Sequence, residues 1–265
     1  MEDVSLLVSI LQLLVALGIF ALLVYVSKFI VNKVKSSSRF ENSKFLNPLE
    51  YFPSEEVSTL KQVFYLIMIM VFLVIILYMI FGWADGLYFI SALDIIISVY
   101  LAMNWGTDSF KEKLILFLLI PFGSIKILLS GSTALLFDLF HIFGYLYFIQ
   151  VYYRKFVSYT ENNGLGITIM LLFSIILVSF LFTILAEDVS PMDSITMVSN
   201  AFTSNSFDPA GKSMIGKLDS LVLAWGGFIL SGVGTATLSV SIVMRYVNRR
   251  FDDMEDLVKK KKKED

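Results

Sequence analysis

The sequence predicts an all-α membrane protein with seven transmembrane helices and one re-entrant segment, and three observations lead there. Hydrophobic residues make up 57% of the 265 residues and charged ones 17%, with mean hydropathy +0.76, too apolar for one water-soluble core of this size. Uncharged apolar stretches of about 20 residues recur, the length a helix needs to cross the hydrocarbon layer. Runs such as Leu66 to Phe81 and Leu171 to Leu185 are continuous rather than alternating, which excludes a barrel and leaves helices as the spanning structure.

Taken in order, the spans are Val4 to Val31, Val63 to Phe81, Leu87 to Met103, Leu114 to Leu129, Thr133 to Tyr153, Ile167 to Leu185 and Leu218 to Met244. Glu2 and Asp3 stand where a signal peptide would be basic, and the apolar run behind them is too long for one, so the first span reads as a retained helix. Segment 36–60 holds Pro48 and Pro53 between Phe45, Leu46, Leu49, Tyr51 and Phe52, the composition of a linker lying along the inner membrane surface.

Loop charge orients the chain. Lys33, Lys35, Arg39, Lys44 and Lys61 follow the first span, Lys111 and Lys113 the third, Arg154 and Lys155 the fifth, and Arg245, Arg249, Arg250 and Lys259 to Lys263 the last. The alternate connections carry Asp85, Glu187, Asp188 and Asp193, with Lys212 and Lys217 as exceptions. Positive charge collects on the cytoplasmic side, so the reading is a multi-pass protein of the cell membrane, N terminus outside and C terminus cytoplasmic. The tail 251–265 is expected to be solvated, basic and in contact with anionic lipid.

Composition also narrows the chemistry. No cysteine and a single histidine exclude a disulfide framework, a thiolate metal site and multi-histidine ligation. No nucleophile with its base and no metal set is legible, so the chain is not read as an enzyme, and neither a cofactor nor a nucleic-acid partner is expected.

Between the last two spans, Glu187 to Lys217 is too polar to cross the membrane. Pro191, Met192 and Asp193 are suited to a helix start, and Ile195, Met197, Val198, Ala201 and Phe202 give a short apolar helix. It then breaks into Thr203, Ser204, Asn205, Ser206, Phe207, Asp208 and Pro209, residues good at exposing hydroxyls and backbone carbonyls. A half-helix followed by irregular backbone at membrane depth is the pattern of a pore loop.

These residues resemble the potassium channel superfamily, in which an outer helix, a pore helix, a filter reading T-V-G-Y-G-D and an inner helix repeat fourfold around one pathway. Thr203 matches the filter threonine, Asp208 the filter aspartate, Glu187 the acid before the pore helix, and Gly216 with Lys217 the Gly-Lys pair before the inner helix. Gly226, Gly227, Gly232 and Gly234 resemble inner-helix gating glycines. The resemblance extends over Val63 to Arg250, with Asn162 to Leu165 similar to the connection into the outer pore helix. It implies an extra first helix (1–35), the linker (36–60), a voltage-sensor-like four-helix module (61–160), a pore module (161–250) and the tail (251–265). It further implies a homotetramer passing monovalent cations such as potassium or sodium.

Two departures shape the expected activity. Ser204, Asn205, Ser206 and Phe207 replace the glycines that turn successive carbonyls toward the ion. Side-chain oxygens and a ring of Asp208 carboxylates would instead line a wider, partly hydrated filter, which predicts weak discrimination between sodium and potassium. The fifth span carries no Arg or Lys before Arg154, so steep voltage gating is not expected. The expected function is a pore-loop cation channel, the alternative a non-conducting homologue acting as a regulatory or binding membrane subunit.

Asp94, Lys126, Asp138 and His141 are ionisable residues inside the sensor-like module, and topology puts them in one half of the membrane. One reading is a ligand or proton sensor. The other, which the frequency of structural charge networks favours, is an ion pair in which Lys126 neutralises Asp94 or Asp138. Aromatic residues of the fifth span, from Phe137 to Tyr153, are expected to serve packing and lipid contact.

Overall fold

A computed structural model describes residues 2–36, 54–131, 135–160, 164–203 and 213–264, and among these every regular element is a helix. In chain order they are α1 (Glu2–Lys35), α2 (Ser54–Phe81), α3 (Leu87–Met103), α4 (Phe110–Leu118), α5 (Phe122–Ser130), α6 (Leu135–Thr160), α7 (Gly164–Glu187), α8 (Pro191–Thr203) and α9 (Met214–Glu264). Four stretches among the described residues are long and apolar enough to cross a membrane: Ile10–Val34, Lys61–Phe81, Phe110–Ser130 and Ile169–Glu187. The chain is therefore an all-helical protein suited to a membrane. It divides into two compact units, Met1–Tyr159 with Ser190–Met192, and Thr160–Val189 with Asp193–Asp265.

In the first unit α3 packs against α5, α1 and α2, and α1 also touches α5. The core is aromatic where α2 meets α6. Phe72 stacks on Tyr145 at 5.0 Å between ring centres and meets Tyr152 edge-on at 5.5 Å, and Phe72, Tyr145 and Phe156 are fully buried. Phe140, Phe143 and Tyr153 on the same helix are exposed, which divides α6 into a packing face and an outward face.

The span read from Leu114 to Leu129 falls within one apolar stretch, Phe110–Ser130, but it is built of two helices rather than one. Ser109 opens α4 with a capping box: its side chain accepts from the amide of Glu112, whose carboxylate accepts from the amide of Ser109. Pro121 then ends the helix, because it has no amide to donate and its ring crowds the carbonyl four residues back. The amide of Ile120 bonds to Phe117 at 3.2 Å and that of Phe122 to Ile120 at 2.9 Å, so the carbonyl of Leu118 loses its ordinary helical donor. Helix α5 restarts at Phe122 and closes on Gly131, whose φ of 68° is left-handed backbone that suits glycine.

In the second unit α7 packs against α9. The short helix begins at Pro191 and ends at Thr203, as the residue pattern predicts. Helix α9 does not stop at Arg250. It continues without a break to Glu264, and its 51 residues correspond to about 75 Å, more than twice the hydrocarbon thickness.

Candidate functional site

Two constellations stand out, one in each unit. In the first, Asp94 on α3 and His141 on α6 form a buried ion pair, Nε2 to Oδ1 at 2.9 Å, with side chains 0% and 1% exposed. Ser124 at the start of α5 donates to Oδ2 of Asp94 at 2.6 Å, and the Tyr145 hydroxyl donates to Oδ1. Ser98, one turn after Asp94, lies 3.1 Å from the Tyr145 hydroxyl. The other ring nitrogen, Nδ1, is 2.8 Å from the carbonyl oxygen of Leu118, the group freed by the break before Pro121.

A carbonyl can only accept, so Nδ1 carries a hydrogen. One further proton lies between Nε2 and Oδ1. Whether it sits on nitrogen, giving imidazolium and carboxylate, or on oxygen, giving two neutral groups, the pair has no net charge. That is what allows it to stay out of water, where an isolated ion would cost several kcal/mol. Two glycines permit the approach. A Cβ on Gly144 would come 2.8 Å from the Leu118 carbonyl, and a Cβ on Gly123 would overlap the Asp138 carboxylate.

Asp138 lies one turn before His141 on α6 and is 7% exposed. His141 and Lys126 are the basic groups that act on its carboxylate. Thus the structure brings Asp94, Asp138 and His141 together, and His141 rather than Lys126 is bonded to Asp94. Lys126 lines a separate cavity of about 190 Å³ between α5 and α1, with Leu11, Gln12 and Ala16. Ser98, Ser124, Tyr145 and the Leu118 carbonyl were not legible as members of the network, since pairing between helices leaves no mark in local sequence.

In the second unit the helix after α7 turns back along it. Ser194, in the first turn of α8, donates to the carbonyl of Phe180 at 2.8 Å, seven residues before Glu187 and thus about 10 Å along α7 from its end. At the other end of α8, a Cβ on Gly227 would collide with the carbonyl oxygen of Phe202. Gly227 is about 20 Å along α9 from Met214. The two depths agree with the rise of about 12 Å between Ser194 and Phe202, so α8 runs back along α7 and alongside α9.

The base of this excursion is tied. The amide of Ser213 donates to Oε1 of Glu187 at 3.0 Å and its hydroxyl donates to the same oxygen, while Ser213 Oγ accepts from the amide of Gly216 at 2.9 Å. Glu187, at the end of α7, and Ser213, just before α9, therefore stand at one level. Asp219, in the second turn of α9, accepts from Ser179 at 2.8 Å and faces Thr183 at 3.4 Å, a clasp between α7 and α9 that sequence reasoning missed. Thr203 closes α8 with its hydroxyl on the Ser199 carbonyl. Ser204 to Asp208 lie outside the described residues. Gly226, Gly227, Gly232 and Gly234 all fall within α9; of the first three, Gly227 makes close backbone contact, whereas a Cβ on Gly226 would meet Ile175 at 3.9 Å and one on Gly232 nothing within 4 Å.

Among the described residues no group of His, Asp and Glu is arranged to hold a metal ion. No protein-family model matches the chain, and neither a curated protein nor a solved structure matches it.

Proposed function

We propose that the chain is the subunit of a pore-loop cation channel that conducts monovalent cations passively. The observation that carries this is the course of α8 back along α7: its last carbonyls meet Gly227 about 20 Å along α9, close to the middle of a hydrocarbon layer about 30 Å thick. Irregular backbone at that depth is tolerated where it lines a watery cavity or is buried in protein, and residues 204–208 follow directly. Four copies would place their Thr203 to Asp208 segments around one axis, with α9 lining the pathway and the Asp208 ring drawing cations. The N terminus is then outside and the C terminus cytoplasmic, with the basic end of α9 near anionic lipid.

Potassium and sodium flux from proteoliposomes tests this. The wild type is expected to leak both ions with little preference, and Asp208→Asn to slow the leak severalfold. A second reading, a non-conducting regulatory subunit, is favoured by the absence of filter glycines in Ser204 to Phe207. Silence of the wild type across pH and voltage, with the protein intact in the membrane, would establish that reading instead.

A further inference from the structure

Beside the Asp94–His141 network lies a partly open cavity of about 290 Å³ lined by α2, α3, α5 and α6. Its walls include Ile75, Tyr78, Ser91, Ser124, Ile127 and Asp138. Asp138 is 7% exposed and lines this space, with His141 and Lys126 as the basic groups within electrostatic reach of its carboxylate. A carboxylate so removed from water is costly without a compensating donor.

The hydroxyls around it have a direction. Ser124 spends its proton on Oδ2 of Asp94, so toward the cavity it can only accept. The carboxylate of Asp138 accepts as well, and the hydroxyls of Ser91 and Tyr78, which can accept or donate, are the other polar side-chain groups of a wall that is otherwise aliphatic and aromatic. An acceptor-rich end with apolar walls is complementary to a molecule with several N–H donors on one end and a hydrocarbon body on the other. A monatomic cation would leave most of the volume empty and the apolar walls without contact.

We propose that this cavity is a binding site for a small organic ammonium ion, whose N–H groups reach Asp138 and Ser124 and whose apolar body fills the space against Ile75, Tyr78 and Ile127. The site lies wholly within the first unit and stands whether or not the chain conducts. Occupancy would touch Ser124 and so reach Asp94 through one hydrogen bond and His141 through a second.

Labelled benzylammonium, titrated against the full-length protein in nanodiscs of zwitterionic lipid, is the test. Saturable binding is expected, displaced by unlabelled benzylammonium and not by benzyl alcohol, which has the same body without the charge. Asp138→Asn should weaken it about 30-fold, the loss of one charge-assisted contact. Ile127→Trp, which fills the space and spares the carboxylate, should abolish it. Lack of saturable binding, equal displacement by benzyl alcohol, or undiminished affinity in folded D138N would each overturn the proposal. If D138N does not fold, the comparison of benzylammonium with benzyl alcohol on the wild type decides alone.

Discussion

Nδ1 of His141 lies 2.8 Å from the carbonyl oxygen of Leu118, an acceptor left without its helical donor because Pro121 interrupts the chain between α4 and α5. The helix break and the histidine are one arrangement: the first supplies the acceptor that fixes the tautomer of the second, and the opposite nitrogen is thereby aimed at Asp94. Replacing His141 by Phe leaves the Asp94 carboxylate buried without its bonded partner, and a loss of about 3 kcal/mol is expected. Thermal unfolding in detergent measures it. His141→Gln combined with Asp94→Asn should cost at least about 1 kcal/mol less than the two single changes added, since each removes the same pair. Strict additivity would show that the contact contributes nothing.

Gly144 sets the distance at which α6 passes the end of α4. An added Cβ would stand 2.8 Å from the Leu118 carbonyl, a backbone atom that cannot rotate aside. Gly144→Ala is expected to destabilise by about 1–3 kcal/mol despite the better helix propensity of alanine. Gly18 on α1 meets nothing within 4 Å, so Gly18→Ala should be neutral or slightly stabilising, up to about 1 kcal/mol. Unfolding midpoints of the two variants side by side are the measurement.

Much of the local architecture was legible because it depends on local chemistry. Leu87–Met103 is bounded by Gly86, which is left-handed, and Asn104, and α8 runs from Pro191 to Thr203, where a good first-turn residue and a run of poor helix formers mark the ends. The break at Pro121 is also written in the sequence, although the apolar residues on either side of the proline form one continuous hydrophobic stretch. The partners of the charges were not legible. Asp94 could have been paired with Lys126 by topology, and only the relative rotation of α3, α5 and α6, set by packing, turns His141, Ser124 and Tyr145 toward it. Asp219 escaped for the same reason, as its partners Ser179 and Thr183 lie on another helix.

Glu187 and Ser213 hold the two ends of the excursion together, and the Ser213 hydroxyl also bonds to the Gly216 amide in the first turn of α9. Glu187→Ala removes the acceptor for the Ser213 amide and Ser213→Ala removes the cap, each worth about 1–2 kcal/mol. Glu187→Gln retains an acceptor oxygen and should lose less than Glu187→Ala. If the excursion forms part of a conducting pathway, cation flux should fall in the same order as stability across these three variants.

Gly227 and Gly232 separate packing from propensity on one helix. At Gly227 the carbonyl of Phe202 occupies the place of a side chain, while at Gly232 no atom lies within 4 Å of an added Cβ. Gly227→Ala must push the end of α8 away from α9, and because Thr203 is the next residue, the displacement passes straight to the start of the proposed filter. A cost of about 1–3 kcal/mol is expected, together with a several-fold change in cation flux and in the potassium-to-sodium ratio. Gly232→Ala should alter none of these through contacts within the subunit. Unfolding and flux on the same preparations discriminate: a loss of stability at Gly227 with unchanged flux and selectivity would mean that the contact is structural alone. Large flux effects at Gly232 with normal stability would move the proposed hinge five residues along α9.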